Sequence, residues 1–278
     1  MDTEFEFSDQ DFQRIRRIIN EVAGISLADG KRELVYSRLS RRLRQHGLRR
    51  FGDYCNLLDS GGPTGDEMGE FVNALTTNLT SFFRESHHFE FLAHDLIPAL
   101  VRERSFSNRR IRIWSAGCST GEEPYSIAMV LRETLPAVGW DVKILATDLD
   151  SNVLATAERG VYEWNRVKDL PETRLRRWFQ KGSGEQSGLV RTAPALRNLI
   201  TFRQLNLMDD WPMRGPFDVV FCRNVVIYFD KPTQRILFDR FAELLAEQGH
   251  LFVGHSESLF KVTERFAPLG KTIYRKCL

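Results

Sequence analysis

Residues 111–130 read IRIWSAGCSTGEEPYSIAMV. An apolar run is followed by a turn of small residues and then by an amphipathic stretch. That order predicts strand, tight turn and helix, the unit from which parallel sheets are built. Two chemistries share the outline. Gly117-Cys118-Ser119-Thr120-Gly121 fits G-x-S-x-G, in which Ser119 would be a nucleophile on a strained elbow. The same turn can instead hold a nucleotide with its backbone.

The surroundings favour the second reading. A hydrolase elbow follows several strands of its sheet, yet the first 105 residues here read as helical, and no HGGG-type oxyanion segment precedes the turn. His250 and His255 fall on or beside a predicted strand. A binding loop makes a further demand: a carboxylate at the end of the next strand, about 20–30 residues on, to take ribose hydroxyls. Asp148 in KILATDLD meets it. The turn carries fewer glycines than G-x-G-x-x-G, and its helix opens with Glu122-Glu123. Negative charge there repels a pyrophosphate and welcomes a cation such as an α-ammonium. This counts against NAD and ATP and favours S-adenosylmethionine, which has no phosphate. Ser119 is then a small turn residue with no covalent role.

Working outward, residues 8–84 read as helices. SDQDFQRIRRIINEVAGI has a Ser8 cap and places Phe12, Ile15, Ile18, Ile19 and Val22 at helical spacing. GKRELVYSRLSRRLRQHG sets Val35, Leu39 and Leu43 along one stripe and Arg38, Arg41 and Arg42 along another. A Gly/Pro-rich break interrupts the next helical stretch, and a polar loop is expected at RSFSNRR. From residue 110 strands and helices alternate, which predicts a parallel sheet covered on both faces. FQKGSGEQSGLVRTAPALRNLITFRQL breaks the alternation and predicts a small antiparallel insertion at about 176–204.

Bulk properties exclude several classes. The 278 residues are 42% hydrophobic and 27% charged, the composition of an ordinary globular chain. Apolar runs are strand-sized, so no membrane insertion is expected. MDTEFEFSDQ lacks the features of a signal peptide, and four scattered cysteines suit a cytoplasmic protein. Net charge is only +2, but Lys31–Arg50 holds eight basic residues against the single acid Glu33. Without interleaved aromatics that run is no nucleic-acid site. His87, His88 and His94 do not form H-E-x-x-H, so no metal is expected and they read as surface histidines. His255-Ser256-Glu257 lacks the P-C-x-x-C partner of a deaminase. Asn78-Leu79-Thr80 fits a glycosylation pattern that has no meaning in a cytoplasmic chain.

TTNLTSFFRE, SAGCSTGEEPYSIA, ATDLD, FCRNVVIYFD and GHLFVGHSESL, in that order, resemble the chemotaxis receptor glutamate O-methyltransferases of the CheR type. The likeness runs through nearly the whole chain. It implies an α/β fold: a Rossmann-like class I methyltransferase at 86–278 behind a helical N-terminal domain at 1–85. It also implies S-adenosylmethionine as cofactor, with S-adenosylhomocysteine as product. Carried over by motif, Asn78, Thr80 and Arg84 reach the cofactor from the inter-domain segment, and Ala116 and Gly117 belong to the first loop. Glu123 holds the methionine ammonium and Asp148 the ribose. Asn206 and Leu207 lie against the adenosine, and Arg223 and Asn224 complete the pocket. Arg84 and Tyr228 stand beside the transferring methyl. The implied partners are the cytoplasmic methylation helices of chemotaxis receptors, facing the basic helix, and a receptor C-terminal tail peptide at the β insertion. The enzyme is expected to be a monomer. One alternative is a regulator that keeps the pocket as a sensor but does not methylate. Another, a small-molecule or nucleic-acid methyltransferase, would need D/N-P-P-Y after DVVFC, where this chain has Arg-Asn-Val-Val-Ile-Tyr.

Overall fold

The computed structural model describes residues 4–61, 66–104 and 109–277. The centre of the expected polar loop (105–108) and residues 62–65 of the Gly/Pro-rich break lie outside them.

Four helices open the chain: α1 (Asp9–Ala23), α2 (Arg32–Gln45), α3 (Phe51–Asp59) and α4 (Glu67–Leu75). Ser8 caps α1 in a reciprocal box with Asp11, and Gly24 at φ +69° ends it. Phe12, Ile15, Ile18 and Ile19 are buried as their spacing predicted, against Val35, Leu39 and Leu43 of α2. The basic stripe of α2 is less open than its sequence suggested. Arg38 donates to the carbonyls of Leu75 and Thr76 at the end of α4, and Arg42 pairs with Glu67. Arg41 alone of those three is exposed.

The segment after α4 leads into α5 (Ser86–Phe91), a π-helical turn (Leu92–Leu96) and α6 (Ile97–Arg104). Then the alternation begins: β1 (Arg110–Ala116), α7 (Glu122–Thr134), β2 (Asp141–Asp148), α8 (Ser151–Arg159), β3 (Val161–Glu163), α9 (Glu172–Trp178), β4 (Phe179–Lys181), β5 (Leu189–Thr192), α10 (Pro194–Arg197), β6 (Ile200–Gln204), β7 (Phe217–Cys222), α11 (Lys231–Leu244), β8 (Leu245–Val253), β9 (Phe266–Gly270) and β10 (Ile273–Lys276). The main sheet runs β6-β2-β1-β7-β8-β10-β9, parallel from β6 to β8 and antiparallel beyond. All six residues of β7 are buried, as a strand covered on both faces must be.

The small antiparallel sheet is β3-β5-β4. Its composition differs from the stretch read as the insertion. ITFRQ forms β6, which pairs with β2 in the main sheet, and the third strand of the small sheet comes from Val161–Glu163, upstream. Alternating burial on a three-residue strand leaves too short a pattern to detect. Among the described residues no helix is long and apolar enough to cross a membrane.

Candidate active site at the carboxyl edge of the sheet

A cavity of about 590 Å³ opens beyond the carboxyl ends of β1, β2 and β7. This is where strand order reverses about β1, the place at which open α/β sheets bind their ligands. Residues 23–38 of the helical region and the segment 75–84 supply the facing wall. Every site residue expected from the sequence lines the cavity except Ala116, the last residue of β1, which is fully buried in the core.

The loop after β1 fixes the floor. Gly117 sits at φ +87°, and a Cβ there would come within 2.3 Å of the Val225 side chain. At Gly121, φ +97°, a Cβ would come within 2.8 Å of Ala157 and 2.9 Å of Tyr162. Ser119 is left-handed at φ +48°, its N–H donates to Asp148 Oδ2 at 2.7 Å, and its hydroxyl donates to the Asn78 carbonyl at 3.0 Å. A hydroxyl spent on a main-chain carbonyl, with no histidine among its partners, is not poised for attack. Asp148 also accepts from the Asp150 N–H at 3.0 Å. Burial raises its pKa to about 6, with these backbone donors pulling the other way.

The acidic helix start divides into two roles. Glu122 is fully buried but turned from the cavity, paired with Arg166 and accepting from Thr120. It does not line the pocket, and Arg166 answers its charge. Glu123 does face the cavity. It accepts from Ser115 at 2.8 Å and from Arg223 at 3.0 Å. Burial nevertheless raises its pKa, outweighing the Arg223 charge and the Ser115 hydrogen bond. Arg223 cannot serve Glu123 alone, because its Nη2 also lies 3.2 Å from Glu85 and donates to the Arg84 carbonyl. Two buried carboxylates thus share one buried guanidinium. Among the described residues Arg223 is the cation partner of Glu123, and it is shared.

The inter-domain segment is held in a strained form. Phe83 (φ +53°) and Glu85 (φ +57°) flank Arg84, both left-handed, a conformation rare for side chains of their size. Phe83 N–H donates to Ser126 at 3.0 Å, and its ring lies under Arg174 at 4.1 Å. Arg84 itself donates to the Leu79 carbonyl at 2.7 Å. Upstream, Asn78 spends its amide on Asp150 at 2.8 Å, where Thr76 also donates. Asp150 caps α8 with its other oxygen. Thr80 offers its carbonyl to Arg166 at 3.1 Å.

Two more contacts tie the helical region to the cavity. Asn206 donates to the Val22 carbonyl of α1 at 2.7 Å, and Ser26 N–H donates to the Tyr228 carbonyl at 2.8 Å. Leu207 is buried behind Asn206. Tyr228 is half-buried and packs on the core of the helical region.

Sequence reading missed three supporting acids, although each lay inside a quoted motif. Glu85 is held down to about 2: burial pushes it up, but the His255 hydrogen bond at 2.9 Å and the Arg223 charge prevail. Glu257 accepts from the backbone of Asn224 (φ +58°) at 2.8 Å and of Ile227 at 3.2 Å, pinning the loop after β7. Asp150 straps the inter-domain segment to α8. Their neighbours are distant in sequence, so spacing carried no signal. His88 also differs from expectation. It is fully buried, its Nε2 set 3.0 Å from the Lys271 carbonyl, and burial with the nearby Arg223 charge lowers its pKa to about 3.

The all-alpha domain of the CheR methyltransferases matches residues 10–76, and their S-adenosylmethionine-binding domain matches residues 78–275. Chemotaxis protein methyltransferase 2 of Pseudomonas aeruginosa is 47% identical over 275 residues, covering 98% of this chain and 94% of that protein. The chemotaxis protein methyltransferase of Escherichia coli is 48% identical over 268 residues (96% and 91%). That of Borreliella burgdorferi is 39% identical over 254 residues (90% and 88%).

Proposed function

This chain belongs to the CheR methyltransferase family, an S-adenosylmethionine-dependent methyltransferase of chemotaxis, and from that premise we propose that it esterifies glutamate side chains on the methylation helices of chemotaxis receptors. The observation that carries the reading is the shared guanidinium: Glu123 faces the cavity with Arg223 as its cation partner, divided with Glu85. The proposed assignments keep Glu123 for the methionine ammonium, Asp148 for the ribose, and Asn206 and Leu207 for the adenosine. Gly117 gives the close backbone approach. Because the Asn78 side chain and the Thr80 carbonyl are committed, these two contribute mainly by holding the wall in place. The division into a helical domain at 1–85 and a catalytic domain at 86–278, a monomeric state, and a tail peptide docking on the small sheet belong to the same reading.

When bound, S-adenosylmethionine supplies a methyl on a sulfonium. A substrate glutamate, with an ordinary pKa near 4.3, is ionised at neutral pH and needs no general base. The chain's own task is alignment and exclusion of water from opposite charges that cancel as the methyl moves. Arg84, fixed by the left-handed residues on either side, orients the carboxylate. Too firm a grip would weaken the nucleophile, so its role is positioning. The Tyr228 hydroxyl, in the proposed role, donates to the same carboxylate or to the methionine end.

Radioactive methyl transfer to a receptor signalling fragment tests the reading. The wild-type protein should yield base-labile methyl esters, and Arg84→Ala should lose about 100-fold in turnover, roughly 3 kcal/mol, while binding S-adenosylhomocysteine within a few-fold of wild type. Absence of transfer by the wild-type protein, with the product analogue still bound, would favour the sensor reading instead.

A further inference from the structure

Among the described residues, Leu79 is 77% exposed and Ile227 is 49% exposed, and both line the cavity. The other large apolar residues of its wall are buried, such as Leu27, Leu75, Leu207 and Phe229, or partly buried, such as Leu34 and Leu205. An exposed leucine by itself means little. These two differ because their backbones leave them no freedom to fold away. Leu79 stands between Asn78, whose carbonyl accepts from Ser119, and Thr80, whose carbonyl accepts from Arg166. Its own carbonyl holds Arg84. Ile227 lies in the turn Val226–Tyr228, where its N–H is bound to the buried Glu257 and the next carbonyl is bound by Ser26. Each apolar side chain is therefore rigidly attached to a residue assigned to the reaction, Arg84 through its hydrogen bond and Tyr228 through the chain.

We infer that Leu79 and Ile227 are apolar lips of the cavity that pack on the helix carrying the target glutamate. This rests on the reading above and names the surface that completes it. The occupant is an amphipathic acidic helix. Its glutamate enters toward the cations of the wall that no carboxylate holds among the described residues, Lys31, Arg38 and Arg84. Its apolar side chains one turn away, at i±3 or i±4, cover the lips. A charged group entering a cavity this open would otherwise remain hydrated. Near-neutral contacts ringing a polar centre exclude water and strengthen what lies inside.

Leu79→Ser, Ile227→Ser and the double variant test the inference, with Leu79→Met and Ile227→Val as controls. Each serine variant should lose about tenfold in kcat/KM for the receptor fragment, and the double variant about 100-fold. Affinity for S-adenosylhomocysteine, measured by calorimetry, should stay within twofold, and the Met and Val variants should transfer nearly as well as wild type. Transfer by the double variant at the wild-type rate would overturn the inference. So would a parallel fall in product affinity, or an equal loss in the conservative variants, since either makes the residues parts of the wall and not lips. If the wild-type protein itself fails to methylate the fragment, the glutamate reading falls, and this inference with it.

Discussion

Glu67 in the helical region and Glu123 at the cavity are built from similar materials, a buried carboxylate and an arginine. At Glu67 the partners are in excess. Arg42 gives it two donors, Tyr54 a hydroxyl at 2.7 Å and His46 a ring nitrogen at 2.7 Å, and Arg42 serves one further acid, the half-exposed Glu70. Burial pushes the Glu67 pKa up, yet those partners together bring it below the usual value. At Glu123 the balance is reversed: the cation is divided with Glu85 and burial prevails. A buried charge that is fully answered from within its own domain is architecture. One left with fewer donors beside a cavity is where the proposed reading seats the ligand's ammonium. Burial alone does not tell the two apart, nor does the arginine, which each shares with a second acid; the number of donors on the carboxylate does, four on Glu67 against two on Glu123.

Removing a partner from each cluster separates them. Arg223→Met leaves Glu85 and Glu123 with no buried cation and should cost about 4 kcal/mol of stability, together with most of the affinity for S-adenosylhomocysteine. Glu67→Gln should cost about 3 kcal/mol and leave that affinity unchanged in the folded protein. Urea unfolding and calorimetry measure both, and a loss of binding in Glu67→Gln would break the comparison.

Substituting the ligand-facing carboxylate gives the opposite sign. Because the pKa of Glu123 is raised on folding, its ionisation works against the empty protein as pH rises above 4.5. Glu123→Gln should therefore leave the empty protein as stable as wild type or more so at pH 7, while affinity for S-adenosylhomocysteine falls by about 2 kcal/mol, some 30-fold. For Glu67, whose pKa is lowered, stability is present above 4.5 and lost as pH falls below it.

A smaller effect should appear at Asp148. With its pKa raised to about 6, Asp148 in its proposed role would accept ribose hydroxyls best when ionised, so product affinity should be flat near pH 7.5 and decline several-fold as pH drops through 6. Asp148→Asn should abolish that dependence along with part of the affinity. The baseline is an exposed pair, Arg176 with Glu172 on α9. Arg176→Ala should change stability by less than about 0.5 kcal/mol.

Much of this was legible in the sequence, and the reasons are physical. The strand–turn–helix at 111–130 and the carboxylate at Asp148 follow from periodicities and spacings that local sequence carries. So do the buried stripes of α1 and α2. What escaped depended on contacts between distant segments. Nothing near Glu122 says that Arg166 will cover it, and nothing near Glu123 says that Glu85 will compete for Arg223. The destination of ITFRQ was invisible for the same reason: its partner, β2, lies more than fifty residues upstream, and a short strand reads alike in either sheet.

The hydrogen bonds from Asn206 to Val22 and from Ser26 to Tyr228 bear on engineering. They make the helical region part of the same machined fitting as the reaction centre. Exchanging residues before 77 between relatives, to redirect the enzyme to another receptor, would also exchange the loop at Val22–Ser26 that seats Tyr228. A chimera that keeps this loop from the catalytic parent, and grafts only α2 to α4, should retain turnover where a cut at the linker does not.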